Sequence, residues 1–227
     1  SAYDPTANQI YVVQSTVSGF VPYIHDIGND TWTTGPIFTP DHSNSYWGIF
    51  DIVFDIENDV LVLATWSNDG IIGEFVFTYD INSDQWNSIT TCSSGGEGYG
   101  INLAYNHNTN KVALGKFYQN DLRLYEIDIS TGNCEFLDEF ENQPNEETIK
   151  NDGLLYDSKR NRYLYVYRHD GDVVSVKAIT DGVLSHITDY TLSSWQSHPD
   201  IYLPTAYLHK EDQLIFSWQV GESNDYS

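Results

Sequence analysis

The amino-acid sequence predicts an all-β fold made of consecutive four-stranded antiparallel sheets. Three observations predict it: a repeat with a constant step of 51 residues, a high content of strand-forming side chains, and no segment with helical periodicity. Aromatic residues make up 15% of the chain, and aromatic and β-branched side chains pack well on a pleated surface. Internal repeats are considered first because they decide the architecture.

The repeat contains an aromatic residue that recurs every 51 positions, followed by three columns that keep the same register. The aromatic column is Tyr3, Phe54, Tyr105, Tyr156 and Tyr207. Five positions later stand Asn8, Asp59, Asn110, Asn161 and Asp212. Seven positions later stand Ile10, Leu61, Val112, Tyr163 and Leu214, and nine positions later Val12, Leu63, Leu114, Tyr165 and Phe216. Four columns in register over five copies indicate a true structural repeat.

Each repeat is predicted to hold four short strands. The aromatic residue ends the first strand, a polar turn follows, and an apolar run such as 10–13 or 60–63 forms the second strand. Asn and Asp suit this turn because their side chains bond nearby backbone and tolerate left-handed geometry. The third strands are predicted at 23–27, 77–81 and 125–129, and Trp32, Trp86 and Cys134 open the fourth. The fourth copy is degenerate, with Ala178-Ile179 followed by Leu184.

Four-stranded repeats of this length predict a β-propeller. Propeller blades have about 40 to 50 residues, whereas solenoid repeats are shorter or helical. We therefore predict a single propeller domain over 1–227, with blades starting near 3, 54, 105, 156 and 207, about four and a half blades in all. A propeller normally closes its ring by pairing its first and last strands, because an open sheet edge exposes unpaired backbone. We expect the chain to be part of a larger propeller of roughly six to eight blades.

The pattern from Tyr79-Asp80-Ile81 to Trp86 resembles the second half of a Kelch repeat. The resemblance covers about half of each blade. Where Kelch repeats carry a glycine pair after the second strand, this chain has Val13-Gln14-Ser15 and Ala64-Thr65-Trp66. The resemblance implies Kelch-like blades and a bias towards binding roles, without any particular Kelch activity.

The charge balance excludes several classes of partner. The formal net charge is −23, from 33 acidic and 10 basic residues, and phosphate backbones and anionic lipid surfaces repel such a chain. We therefore expect no nucleic-acid partner and no membrane insertion, since no apolar stretch approaches the roughly 20 residues of a membrane span. An acidic surface either attracts divalent cations and basic partners or simply maintains solubility.

The cysteines, the start of the chain and one sequon bear on location. Ser1 opens no visible signal peptide and the chain has no Met, so we expect a mature or trimmed product. The triplet Asn29-Asp30-Thr31 is compatible with secretion, and an extracellular or cell-surface location is expected.

Cys92 and Cys134 fall at different ends of their outer strands, about 20 Å apart. A disulfide needs α-carbons within about 7 Å, so we predict that they are not paired with each other.

The connections between blades form the predicted binding face. They run roughly over 35–49, 91–100, 138–152 and 189–204 and are long and dissimilar, whereas the turns at the opposite face are short and uniform. Variable loops on a rigid scaffold commonly carry function. The predicted ligand-binding residues are Trp47, Asp51, Tyr99, Asn102, Asp152, Trp195, His198 and Asp200. Aromatic faces beside carboxylates and amides suit sugar rings. The alternative is structural: Trp47 and Trp195 plug gaps between blades.

Two further predictions concern the channel and metals. Asp51 and Asn102 stand at the starts of inner strands that line the channel, where a polar side chain needs a partner; that partner is backbone, water, an ion or a ligand. Loop acids at Asp69, Asp121, Asp170 and Asp172 add negative charge to the same face. We predict no obligatory cofactor, with calcium as an option, because calcium needs several converging oxygen ligands.

No catalytic residue is predicted. The segment Ser67-Asn68-Asp69-Gly70 starts like the Asp box of sialidase propellers, but its glycine comes one place early, and a hairpin turn with Asp-Gly fits better. His42 and His198 stand near acids, as in general acid–base pairs. No nucleophile elbow, phosphate loop or dinucleotide fingerprint is present.

Three functions are compatible with this sequence. The leading hypothesis is a non-enzymatic extracellular binding module that contacts a glycan or a protein through its variable-loop face. The second is a glycan-active hydrolase or lyase on the same scaffold. The third is a structural component of a surface or fibre assembly.

Overall fold

A computed structural model describes residues 1–40, 47–67, 75–90, 100–118, 121–140, 153–169, 173–191, 205–208 and 213–216. Within these ranges every regular element is a β-strand. Blade 1 comprises β1 (Ala2–Asp4), β2 (Gln9–Thr16), β3 (Gly19–Asp26) and β4 (Thr31–Thr34). Blade 2 comprises β5 (Trp47–Asp55), β6 (Val60–Ser67), β7 (Phe75–Asp80) and β8 (Gln85–Thr90).

Blades 3 and 4 repeat this arrangement. Blade 3 comprises β9 (Gly100–Asn106), β10 (Lys111–Tyr118), β11 (Asp121–Asp128) and β12 (Asn133–Phe140). Blade 4 comprises β13 (Gly153–Asp157), β14 (Arg162–His169), β15 (Val173–Thr180) and β16 (Val183–Thr191). A fifth, two-stranded sheet comprises β17 (Thr205–Leu208) and β18 (Gln213–Phe216).

The sheets are arranged as the blades of a β-propeller. Each blade is an antiparallel meander in chain order, and its first strand is the innermost. The inner strands contact one another in sequence, β1 with β5, β5 with β9, β9 with β13 and β13 with β17. The predicted all-β propeller is therefore confirmed, with four complete blades and the first two strands of a fifth sheet.

The turn between the first two strands explains the aromatic and Asn/Asp columns. In blade 1, the Asp4 carboxylate accepts hydrogen bonds from the amides of Thr6 (2.7 Å) and Ala7 (3.1 Å). The turn ends in a residue with left-handed backbone, at φ 56° for Asn8, 55° for Asp59, 55° for Asn110 and 50° for Asn161. Asn and Asp tolerate this conformation better than most residues. In blades 1, 3 and 4 the side chain of that residue also accepts a hydrogen bond from the tyrosine hydroxyl, as from Tyr156 to Asn161 at 2.7 Å.

The turn between the third and fourth strands uses the same device. The Asp80 carboxylate accepts hydrogen bonds from the amides of Asn82 (2.9 Å) and Ser83 (3.1 Å). These bonds, with that from the Ser83 side chain foremost, hold the pKa of Asp80 below its ordinary value. Blade 4 differs because Asp181 and Gly182, both at positive φ, close a two-residue hairpin. This shorter turn accounts for the degenerate fourth copy of the repeat.

The hydrophobic core is divided among the junctions between blades. We call the side of a blade that bears the aromatic column its leading face, and the opposite side its trailing face. The leading face of blade 2 buries Phe54, Leu61 and Tyr79 against Tyr11 and Phe20 on the trailing face of blade 1. Blades 3 and 4 pack in the same way on the blade before them. Burying such a large aromatic or aliphatic side chain stabilises the fold by about 1.5–3 kcal/mol.

One sequence prediction is wrong. Cys134 is disulfide-bonded, and since the chain has only two cysteines, its partner is Cys92, which lies outside the described residues. The prediction compared positions within separate blades and ignored how neighbouring blades contact each other. The turn before β12 in fact approaches the end of β8: a Cβ at Gly132 would lie 3.2 Å from the Ile89 carbonyl oxygen. Cys134 and Ile89 pack against the same hydrophobic cluster between blades 2 and 3.

Candidate ligand-binding face

The first strands begin and the second strands end at one face of the propeller, here called the upper face. Of the eight predicted ligand-binding residues, two have described side chains: Asp51 and Asn102. Trp47 is described as the first residue of β5, without a side-chain environment. The other five lie outside the described residues: Tyr99, Asp152, Trp195, His198 and Asp200.

Asp51 is held in place by two backbone amides. Its Oδ1 accepts a hydrogen bond from the amide of Ile52 (2.8 Å) and its Oδ2 one from the amide of Leu103 (2.8 Å). Leu103 belongs to β9, which pairs with β10 on one side only among the described sheets, so its other edge has amides without a strand partner. The register of β5 shifts between Ile49 and Asp51, as in a β-bulge, and a bulge redirects the side chains next to it. The backbone partner that the sequence left open is therefore present.

The same contact brings Asp51 and Asn102 together. The Leu103 amide belongs to the peptide that joins it to Asn102, so the carboxylate lies beside that peptide. Asn102 is half-buried in β9, and Gly153, one repeat further, is buried at the start of β13. Asp51 and Asn102 are therefore neighbours through the backbone peptide between Asn102 and Leu103.

The Asp51 carboxyl is strongly desolvated although part of its surface is accessible. Protein atoms surround the group on most sides, and this burial raises its pKa to about 6 against the opposing effect of the two amide hydrogen bonds. The ionised carboxylate of Asp51 therefore predominates at neutral pH, and the neutral carboxylic acid becomes the major form below pH 6. A carboxyl with such a pKa on an inner strand is a candidate for a functional group.

The first part of the connection between blades 1 and 2 has a packing role. Phe38 exchanges backbone hydrogen bonds with Phe20 (2.8 and 2.9 Å), and its ring stacks on Trp86 with centroids 5.3 Å apart. Gly19, at φ 134°, allows this approach because a Cβ there would lie 1.9 Å from the Phe38 carbonyl oxygen. Residues 35–39 of this predicted upper-face loop therefore fill the junction between the blades.

Two buried lysines escaped the sequence analysis, Lys116 towards the upper end of β10 and Lys177 in the middle of β15. Lys116 on β10 is 1% exposed and Lys177 on β15 is 8% exposed. The Lys177 ammonium lies 4.7 Å from the centroid of the Tyr167 ring, a cation–π contact. The signal was available: Lys116 continues the inward alternation of Val112 and Leu114, and only 10 basic residues occur in the chain.

A serine, an aspartate and a histidine meet on the outer strands of blade 4. His186 Nε2 lies 2.9 Å from Asp189 Oδ1, and the Ser175 hydroxyl donates a hydrogen bond to the same oxygen. In a nucleophilic triad the histidine stands between the serine and the acid. Here the aspartate stands in the middle, so this contact does not activate the serine.

Two wider properties of the described residues complete the picture. Among them, no group of three or more His, Cys, Asp or Glu side chains is arranged to hold a metal ion. Likewise, none of the described segments forms a helix able to cross a membrane.

The four-stranded meander sheets, whose inner strands contact one another in sequence, define a β-propeller protein. No known family profile and no curated protein sequence matches the chain. Solved structures do: the β-propeller domain of Cps50 (Swd1) from Myceliophteria thermophila matches with a TM-score of 0.55 and 12% identity, over 96% of this chain and 61% of that one.

Two further solved structures are similar. 1,3Gal43A, an exo-β-1,3-galactanase from Clostridium thermocellum, matches with a TM-score of 0.59 and 12% identity, over 87% of this chain and 49% of that one. TolB from Acinetobacter baumannii matches with a TM-score of 0.57 and 12% identity, over 96% of this chain and 53% of that one. The chain thus spans about half the length of these two proteins. Identities this low establish the fold alone, and the Kelch-like character of the blades stays a prediction.

Proposed function

We propose that the protein is a non-enzymatic binding module that contacts a glycan or a protein ligand through the upper face of its propeller. The contrast between the two faces carries this proposal. At the lower face, the turns after β1, β5, β9 and β13 have the same length, and each ends in an Asn or Asp with left-handed backbone. The upper connections differ in length and sequence. A rigid scaffold with dissimilar loops on one face is a common design for binding.

The proposed site combines stacking and hydrogen-bonding groups. Trp47, Tyr99 and Trp195 supply aromatic rings, and Asp51 and Asn102 supply a carboxylate and an amide at the channel. The remaining polar members of the proposed site are Asp152, His198 and Asp200. Sugars stack their C–H faces on aromatic rings while their hydroxyls bond to polar groups, and tyrosine and tryptophan are equally enriched where proteins bind each other. Calcium is an optional cofactor.

The proposed location is extracellular or at the cell surface. The disulfide at Cys134 supports it, because disulfides persist mainly in oxidising compartments. The net charge of −23 supports the expectation that nucleic acids are not ligands.

A glycan array, run with and without calcium, tests the proposal. We expect a hit that Trp195→Ala weakens at least tenfold, about 1.4 kcal/mol, while Trp32→Ala leaves it unchanged. Trp32 is the matched control because it is an exposed tryptophan on the outermost strand of blade 1. Silence across the array in both conditions would remove the glycan ligand, and a hit that survives Trp195→Ala and Asp51→Asn would remove the proposed site.

A glycan-active enzyme is the second candidate, and the Asp51 carboxyl favours it. A pKa of about 6 lies near the range in which a carboxyl works as a general acid or base, and one similar structure is that of an exo-β-1,3-galactanase. Release of reducing ends from polysaccharides tests this candidate. Activity that Asp51→Asn abolishes would support an enzyme, and activity equal in both proteins would exclude Asp51 as the catalytic acid.

A further inference from the structure

One tripeptide of the sequence carries a modification signal that the proposed binding site does not use. Asn29-Asp30-Thr31 follows the rule Asn-X-Ser/Thr with X other than proline, which marks acceptors for N-linked glycans. Among the 18 asparagines of the chain, Asn29 is the only one with Ser or Thr two positions later. Such a bulky group is tolerated at the protein surface, so the surroundings of Asn29 in the fold are decisive.

The structure places this signal in an exposed turn. Asn29 lies between β3 and β4, and every residue from 27 to 34 is exposed. Among the described strands, β4 pairs with β3 alone and is the outermost strand of blade 1. Thr31 is its first residue, and the Thr31 hydroxyl forms no hydrogen bond with the part of the chain that the structure describes. Both side chains of the signal are therefore accessible from solvent.

The turn also has room for a substituent on the Asn29 amide. The Asp26 carboxylate accepts hydrogen bonds from the Asn29 backbone amide (3.0 Å) and from Asn29 Nδ2 (2.7 Å). In the equivalent turn of blade 2, the backbone amide of Ser83 bonds to Asp80 (3.1 Å). A side-chain amide nitrogen has two hydrogens, so Nδ2 keeps one for Asp26 when a sugar replaces the other. A glycan at Asn29 is therefore compatible with the turn as it stands.

This turn belongs to the lower face of the propeller. The Ile27 amide donates a hydrogen bond to the Asn8 carbonyl oxygen (3.2 Å), and Asn8 is the left-handed residue that ends the lower turn after β1. The proposed ligand-binding residues belong to the opposite, upper face. A glycan on Asn29 consequently leaves that face open to a ligand.

We propose that Asn29 is an N-glycosylation site. The proposal rests on the extracellular or cell-surface location proposed above. The disulfide at Cys134 supports that location independently of the tripeptide, because disulfides form in the oxidising lumen through which secreted proteins pass.

The modification is a transfer of an oligosaccharide to Asn29 Nδ2, and its donor class is an oligosaccharide linked to a polyprenyl diphosphate. A bond forms between Nδ2 and the anomeric carbon of the first sugar, and the bond between that carbon and the diphosphate oxygen breaks. The nitrogen supplies the electron pair of the new bond and loses one proton to a base of the transferase. The diphosphate leaves with the electron pair of the broken bond.

Peptide mapping of the protein from its natural source tests the proposal. A peptide N-glycosidase converts a glycosylated asparagine to aspartate, and mass spectrometry locates the conversion. We expect Asn29 to be converted after this treatment and to remain asparagine-linked glycan in the untreated control. Asn29 without a glycan in all copies would overturn the proposal.

The state of the two cysteines in the same sample separates this proposal from the proposed location. Asn29 without a glycan but with Cys92 bonded to Cys134 would remove the glycosylation site and leave the location. Asn29 without a glycan and with both cysteines reduced would remove the site and the location together.

Three variants, secreted from a eukaryotic cell line, separate the signal from the turn. Asn29→Ser copies the residue of blade 2 at this position, and Thr31→Ala removes an exposed hydroxyl; both should lose the glycan completely. Thr31→Ser keeps the signal and should keep the glycan. Circular dichroism should show the same fold in all three variants and in the wild type. A glycan that persists in Asn29→Ser would place the modification elsewhere and contradict the proposal.

Discussion

At the scale of single residues, Asp51 shows how the fold sets a charge. The carboxyl lies where two inner strands meet and accepts a hydrogen bond from a backbone amide of each strand. Burial outweighs these hydrogen bonds, so its pKa rises from 3.8 to about 6. The folded state consequently binds a proton more tightly at this site than the unfolded chain does.

This proton linkage predicts the direction of a pH effect on stability. The protonated carboxyl favours the folded state below pH 4, and this contribution is lost as the pH rises through 6. Between pH 5 and pH 7 we expect the free energy of unfolding of the wild type, relative to Asp51→Asn, to fall by about 1 kcal/mol. Urea denaturation of both proteins at several pH values measures it.

Asp80 provides the control for this pH effect. Hydrogen bonds in its turn lower the pKa of Asp80, so its contribution is already complete above pH 4. The stability of the wild type relative to Asp80→Asn should stay constant between pH 5 and pH 7. If the stability of the wild type relative to Asp51→Asn were also constant between pH 5 and pH 7, the Asp51 carboxyl would not be desolvated.

A second residue-scale feature is a buried polar cluster between blades 3 and 4. The Tyr163 hydroxyl donates to Glu126 (2.7 Å), and the Asn106 amide donates to the Tyr163 oxygen (2.9 Å) and to Glu126 (3.3 Å). The pKa of Tyr163 is raised, first by burial and then by the bond to Glu126. Lys111 lies 3.4 Å from the second carboxylate oxygen. The other complete blades have an aspartate at the position of Asn106. The asparagine amide supplies the hydrogen-bond donors that the Glu126 carboxylate needs.

A double-mutant cycle measures this cluster. We expect Tyr163→Phe to cost about 1.5–3 kcal/mol, because it removes a buried hydrogen bond to a charged group. The cost should fall by at least about 0.5 kcal/mol in the Glu126→Gln background, since contacting residues couple. Tyr3→Phe is the matched control: its hydroxyl bond is exposed, and its loss should be nearly neutral. Additive costs of Tyr163→Phe and Glu126→Gln would contradict the cluster.

At the scale of strands and turns, the sequence predicted most of what the structure contains. The columns at Tyr156 and Asn161 were predictable because a left-handed Asn or Asp recurs in each of the four lower turns, and a tyrosine hydroxyl bonds to it in blades 1, 3 and 4. It was also predictable that Asp51 needs a hydrogen-bonding partner, because the strand around it is apolar. Its amide partner on Leu103 was not, because the contact joins two blades and follows a bulge near Phe50.

The disulfide was missed for a related physical reason. The strand register within blade 3 gives the position of Cys134 relative to the other strands of that blade only. The disulfide joins Cys134 to Cys92, which follows β8 of blade 2 in the sequence. The path of the outer strands across a junction is set by packing, as between Gly132 and Ile89. Most of the predicted site residues belong to upper connections outside the described ranges, and their roles stay proposals.

The disulfide leads to a prediction about the junction between blades 2 and 3. Replacing both cysteines, as Cys92→Ala with Cys134→Ala, should lower the free energy of unfolding by about 2–4 kcal/mol, since it frees the unfolded chain from a closed loop. Chemical denaturation under oxidising conditions measures the loss. Reductant should lower the stability of the wild type to that of the double variant and leave the variant unchanged. Insensitivity of the wild type to reductant would contradict a stabilising bond.

At the scale of the whole molecule, the repeat explains both the stability and the open surface of the propeller. The trailing face is largely aliphatic at the junctions of blades 2 with 3 and 3 with 4, whereas Tyr11 and Phe20 make it aromatic between blades 1 and 2. At each of these junctions the core is shared by two blades, so every blade depends on its neighbours rather than on a core of its own. The corresponding leading-face columns of blade 1 are exposed at Tyr3, Val12 and Trp32. Sequence columns predicted the junctions, whereas exposure at Tyr3 and Trp32 became visible only in three dimensions.

The charge of the whole molecule leads to the last prediction. With a net charge of −23, self-repulsion opposes the compact state, and salt screens it over a Debye length of about 10 Å at 0.1 M. We therefore expect the melting temperature to rise steadily with sodium chloride. Calcium chloride at equal ionic strength separates screening from a specific site: a site would add a stabilisation that saturates with calcium concentration. Identical curves for the two salts would exclude a stabilising calcium site, and a melting temperature that falls with salt would contradict self-repulsion.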